Sequence, residues 1–187
     1  MKPVIVIVST IISLTTISYT SRSQSTDAVE QAERSNDRKS DDKEVNEEDA
    51  NFLARVADGR MADLQQGKLA SEKSANGLIR DYGKLMMKDQ QMLLAQVKLL
   101  AATKNVTLPD NMSEGKSDER TDLVKESGKS FDKKFVDIMI SEHERDISSF
   151  EEAAQSSDRK ISQFAEKYLP LLESHLEKIK DIKDQMQ

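Results

Sequence analysis

Apolar side chains recur every three or four residues along four long stretches of this sequence, and this spacing constrains the fold more than any other feature. Residues spaced in this way lie on one face of an α-helix. The first stretch covers residues 49–71, the second follows almost at once and ends near Thr103, the third covers 130–155, and the fourth starts at Ser157 or Asp158. The sequence therefore predicts an all-α protein.

The connections between these stretches predict how the helices pack. The first two helices are almost contiguous, as are the last two, so each pair should form an antiparallel hairpin. The polar connection over residues 104–129 is long enough to return along a helix of about 38 Å, because an extended residue covers about 3.3 Å. We therefore predict a ferritin-like four-helix bundle over residues 49–187, with the two hairpins joined by a long crossover. A third helix that began at Ser117 would leave an up-down-up-down order open.

The N-terminus carries the pattern of a secretory signal peptide. Lys2 precedes an uncharged stretch over residues 3–21, and Ser21 and Ser23 are small residues of the kind that signal peptidase prefers. We expect residues 1–23 to be removed and the mature chain to be exported to the periplasm or cell envelope. The alternative is a retained single-pass anchor, because the uncharged run approaches the length that a bilayer needs.

The next segment, residues 24–48, is dominated by charge. It contains thirteen charged residues but only four apolar ones, which are Ala28, Val29, Ala32 and Val45. So few apolar side chains cannot offset the conformational entropy lost on folding. We therefore predict a disordered charged linker, with a polar surface helix as the alternative.

Five short segments of the sequence resemble those of one known family. They are ADLQQGKLA at 62–70, LP at 108–109, SGKSFD at 127–132, MISEHE at 139–144 and LPLLESHL at 169–176. In order and spacing they resemble the domain of unknown function 4142 family, over about residues 49–182. The resemblance implies a ferritin-like bundle and an exported bacterial protein, in some cases an outer-membrane one. It implies no reaction, because no activity is established for that family.

Four polar residues interrupt the apolar stripes, one on each helix. Burial of a polar side chain without a partner costs about 1–3 kcal/mol, so these positions are candidates for a site. Counted by helix rise, the first three should meet near the middle of the bundle, and the fourth should miss that level by about 8 Å. In chain order the four residues are Asp63, Asp89, His143 and His175.

Two interpretations of these four residues remain open. The favoured one is a buried, hydrogen-bonded cluster of Asp63, Asp89 and His143 that fixes the helix register, with no cofactor. The alternative is a site for iron, manganese or zinc, because inward carboxylates and imidazoles hold such ions in helical bundles. The sequence lacks the Glu-x-x-His pattern of di-iron bundles. The family resemblance implies a histidine where this chain has Gln90 and a glutamate at Asp63, which removes further ligands.

The composition excludes several other functions. The chain has no Cys, which excludes a disulfide framework and thiolate chemistry. It has no Gly-rich phosphate loop. Its net charge is −6 and its Lys and Arg residues are interspersed with acids, so a nucleic-acid partner is not expected. We predict a non-enzymatic binding or stress-related module that contacts an unknown envelope protein or none, and the membrane only through residues 1–23 if these are uncleaved.

Overall fold

The computed structural model describes residues 27–40 and 46–186, and within these ranges every regular element is an α-helix. The prediction of an all-α protein is therefore confirmed. The helices are α1 (Ala28–Ser40), α2 (Glu47–Lys73), α3 (Gly77–Thr103), α4 (Glu114–Lys125), α5 (Gly128–Ala153) and α6 (Arg159–Gln185).

Capping residues set where the long helices begin. Asn46 caps α2 with its side-chain oxygen, so the helix starts before residue 49, where the first predicted stretch begins. Asp158 caps α6 as predicted. The α5 helix begins before residue 130, where the third predicted stretch begins, because Gly128 turns the chain into the helix with a φ of +55°.

Two apolar clusters show the directions in which the four long helices run. One cluster joins the starts of α2 and α6 to the ends of α3 and α5, and in it Phe52 contacts both Phe150 and Phe164. The second cluster joins the opposite ends of the same helices and includes an edge contact between Tyr82 and Phe135. Thus α2 and α6 run in one direction, and α3 and α5 in the other. The connection that contains α4 returns along their length.

The prediction of a disordered linker over residues 24–48 is wrong for the part that forms α1. This helix packs on α2, and two of its residues, Ala32 and Asn36, are four residues apart and both buried. The Asn36 side-chain amide donates to the Thr107 carbonyl (3.0 Å), and the Thr107 N–H donates to Asn36 Oδ1 (2.7 Å). Hydrogen bonds to the chain after α3 therefore help to hold α1 in place, and the number of apolar residues in the segment does not reveal them.

The predicted signal peptide, residues 1–23, lies outside the described residues. So do residues 41–45 of the predicted linker. Within 27–40 and 46–186, no helix is both long and apolar enough to cross a membrane.

The α2 and α3 helices touch backbone to backbone at two glycines. A Cβ atom added to Gly83 would lie 2.5 Å from the carbonyl oxygen of Gly67 and 2.8 Å from the backbone nitrogen of Ser71. A Cβ atom on Gly67 would in turn lie 2.9 Å from the carbonyl oxygen of Gly83. Backbone atoms cannot rotate out of the way, so the crossing requires glycine on both helices. This close approach fixes the hairpin on which the first two site residues lie.

We expect Gly83→Ala to lower the free energy of unfolding by about 1–3 kcal/mol, because the added methyl group forces the two backbones apart. Urea denaturation measures this change. The matched control is Gly115→Ala in α4, where an added Cβ meets nothing within 4 Å. That variant should be neutral or more stable by about 0.5–1 kcal/mol, since alanine favours helix. Equal destabilisation in both variants would contradict the backbone contact.

Candidate functional site

The structure buries three of the four predicted site residues near the middle of the long helices and leaves the fourth, Asp89, partly exposed. Asp63, His143 and His175 are at most 1% exposed, and the Asp89 side chain is 13% exposed. The rings of His143 and His175 lie edge to face with centroids 5.5 Å apart. The prediction that His175 misses the level of His143 was therefore wrong.

The direction of the side chains explains this error. Helix rise compares the heights of Cα atoms, but every Cα–Cβ bond leans toward the N-terminus of its own helix. The α5 and α6 helices are antiparallel neighbours, so the ring of His143 leans away from the turn that joins them and the ring of His175 leans toward it. Both displacements bring the rings closer together along the helix axis than the heights of their Cα atoms suggest.

An arginine lies at the centre of the cluster, at a position that the apolar stripes did not single out. Arg60 is fully buried, and its Nη2 atom lies 3.2 Å from Asp63 Oδ2. The same atom forms an ion pair with Asp146 of α5. Two signals in the sequence point to these contacts, since Arg60 and Asp146 each stand three residues from a predicted site residue. The cluster is thus ionic, and Asp63 contacts Arg60 rather than joining Asp89.

Burial dominates the electrostatics of the Arg60–Asp63 pair. Desolvation raises the pKa of Asp63 above its ordinary value, although the positive charge of Arg60 and the nearby His143 act to lower it. Burial opposes the charge of Arg60 as well, but Asp146 and Asp63 outweigh it, so the pKa of Arg60 is raised. The guanidinium therefore stays charged, and Asp63 binds a proton more readily than an exposed aspartate does.

His175 is held by Asp89 of α3. Its Nε2 atom lies 3.0 Å from Asp89 Oδ2. Burial lowers the pKa of His175 to about 4, and this effect outweighs the hydrogen bond to Asp89, which acts to raise it. The ring is therefore neutral at pH 7, and its Nε2–H donates to Asp89. Its other nitrogen, Nδ1, is buried and has no hydrogen-bond partner among the described residues.

His143 is held by its own helix. Its Nδ1 atom lies 2.8 Å from the carbonyl oxygen of Met139, and because a carbonyl only accepts, this nitrogen carries the hydrogen. The Nε2 atom is buried, and within the described part of the chain it has no hydrogen-bond partner. Each of the two adjacent rings thus has one nitrogen engaged and one nitrogen unsatisfied.

The α4 helix lies against one side of this cluster. Gln66 Nε2 donates to Glu119 Oε1 (3.0 Å), and Glu142, which is 4% exposed, forms ion pairs with Lys116 and Arg145. A surface cavity of about 820 Å³ lies elsewhere, where the start of α5 meets the end of α6. Among residues 27–40 and 46–186, no group of three or more His, Asp or Glu side chains is arranged to hold a metal ion.

The low pKa of His175 predicts how the stability of the metal-free protein depends on pH. Between pH 6.5 and about 4, the unfolded chain takes up a proton on His175 and the folded chain does not. The stability contribution is therefore present above pH 6.5 and is lost as the pH falls toward 4, with a slope of up to about 1.4 kcal/mol per pH unit. We expect His175→Gln to reduce this slope, measured by urea unfolding in buffer with chelator.

The control for this experiment is Ser174→Ala, at the exposed neighbouring position. It should keep the slope of the original protein. A His175→Gln variant with an unchanged slope would mean that the imidazole titrates in the folded protein as it does in the unfolded chain.

Of the comparisons with known proteins, the one with family models gives a match. No match was found among curated proteins or among solved structures. A family model described as "Domain of unknown function (DUF4142)" matches residues 34–182, which include α2 to α5 and most of α6. The resemblance of the five sequence segments is thereby confirmed. The chain belongs to the domain of unknown function 4142 family.

Proposed function

We propose that this protein is an exported, non-enzymatic helical-bundle protein of the bacterial cell envelope that acts as a binding or stress-related module. In this proposal, the four long helices α2, α3, α5 and α6 form a ferritin-like bundle. It is supported by the direction of these helices, since α3 and α5 run in parallel and a long crossover connects them. One long crossover is typical of ferritin-like topology.

A single observation supports a structural role for the polar cluster. Arg60 is fully buried between two helices, and it is paired with a carboxylate of each, Asp63 on α2 and Asp146 on α5. A guanidinium that binds two carboxylates inside a core holds those helices in one register, because any shift leaves a buried charge unpaired. A catalytic group would instead face a cavity that admits a substrate.

We expect Arg60→Met to lower the free energy of unfolding by about 3–5 kcal/mol, because it leaves the buried Asp63 carboxylate and the partly buried Asp146 carboxylate without their cation. Urea denaturation measures the change. Lys84→Met is the matched control, since Lys84 pairs with Asp81 at the same helical spacing of three residues on the exposed surface. That variant should keep the original denaturation midpoint. An Arg60→Met protein as stable as the original would contradict the structural role.

Export has its own test. When the full chain is expressed in a Gram-negative bacterium, we expect it in the periplasmic or envelope fraction, with a mature N-terminus near Gln24 by mass spectrometry. The double variant Val6→Arg and Ile7→Arg interrupts the apolar stretch, so that protein should stay in the cytoplasm. A full-length N-terminus in the cytoplasmic fraction of the original protein would contradict export.

The alternative function is binding of iron, manganese or zinc by Asp63, Asp89, His143 and His175. It is favoured by the unsatisfied nitrogens of the two imidazoles, which are the atoms a metal ion would take. Against it, Asp63 is engaged by Arg60, and Asp89 by His175. A metal ion that took both carboxylates as ligands would have to break the Arg60–Asp63 ion pair and the hydrogen bond between His175 and Asp89.

A further inference from the structure

We propose that His143 Nε2 and His175 Nδ1 together bind one monovalent copper ion, Cu(I). This inference deepens the metal-binding alternative and rests on it, but it replaces the four-residue ligand set with two imidazoles. Both atoms are completely buried and lack a hydrogen-bond partner among the described residues. Their rings are 5.5 Å apart between centroids and meet at 76°.

Each imidazole is already oriented as a ligand. A histidine that binds metal usually donates its other ring N–H to a carboxylate or a backbone carbonyl, which fixes the tautomer. His175 donates to the Asp89 carboxylate, and His143 donates to the Met139 carbonyl. In the tautomers that these two hydrogen bonds select, the lone pairs are therefore on the two unsatisfied atoms. Asp89 and Met139 act as positioning groups and not as ligands.

The number of available ligands selects the ion. Zinc sites in proteins are almost always four-coordinate, and iron and manganese prefer additional oxygen ligands. Within the described ranges, no set of three or more carboxylates and imidazoles meets at this place. Cu(I) has a filled d shell and accepts two nitrogen ligands in a near-linear arrangement, and imidazole is among the ligands that suit copper.

The charge of the cluster is also compatible with a bound cation. One guanidinium, Arg60, faces three carboxylates, those of Asp63, Asp89 and Asp146. The positive charge of Arg60 opposes a cation near His175, but its two carboxylate partners compensate for it. The cluster has more carboxylates than cationic groups, so it can accept an added positive charge. The ion enters and leaves as Cu(I), so no electron is transferred.

The first test is an anaerobic titration of the full chain with Cu(I) in competition with a chromogenic Cu(I) chelator. We expect one ion per chain. Replacement of either ligand, in His143→Gln or His175→Gln, should lower the affinity by about 100-fold or more. Asp89→Ala removes only a positioning group and should lower it by about 10–100-fold. Met92→Leu, which removes an exposed thioether, should leave the affinity unchanged.

A second measurement does not depend on the folding of variants. In ¹⁵N spectra of the original protein, Cu(I) or its redox-inert analogue Ag(I) should shift His143 Nε2 and His175 Nδ1, and leave the other ring nitrogens bonded to hydrogen. Shifts of the opposite nitrogens would overturn the inference. So would stoichiometric Fe(II), Mn(II) or Zn(II) with no Cu(I), which would support the four-residue site instead. A protein that binds none of these ions would overturn both metal proposals, whereas the Arg60→Met experiment tests the structural role separately.

Discussion

Burial of the Arg60 guanidinium in the middle of the core is the interaction on which the rest of the site depends. A charge in that position is tolerated only when carboxylates surround it, and α2 and α5 each supply one. These contacts hold the two helices in register and engage Asp63. Arg60 therefore determines both how the hairpins meet and which polar atoms remain available to anything else.

Most of the fold was predictable because it follows from apolar spacing alone. The four long helices bury continuous stripes, and a stripe of that kind is visible in any sequence that has it. The α1 helix was not predictable in this way. Its contact depends on Asn36, which binds both backbone groups of Thr107, a residue 71 positions away. No periodic pattern reports a hydrogen bond between segments so far apart.

The sequence predicted which residues form the candidate site, but it did not predict which of their side chains contact each other. Asp63, His143 and His175 stood out because polar residues on apolar stripes must be buried, and they are. Arg60 was missed because a long cationic side chain normally reaches the surface from a partly apolar position, and its spacing of three residues from Asp63 does not by itself show that this one turns inward. The pairing failed for a geometric reason, since helix rise locates Cα atoms while the chemistry occurs at the ends of side chains.

The side chains of the site pair differently from what the sequence predicted, and this difference changes which ligands the site can bind. Arg60 takes up Asp63, and His175 takes up Asp89, so the oxygen ligands that a hard divalent ion requires are already engaged. Each imidazole keeps one buried nitrogen that has no hydrogen-bond partner among the described residues. Because an unsatisfied buried acceptor is costly, the cluster is more stable with a ligand between the rings than without one. The contacts that secure the core thus also favour a ligand that needs only two nitrogens.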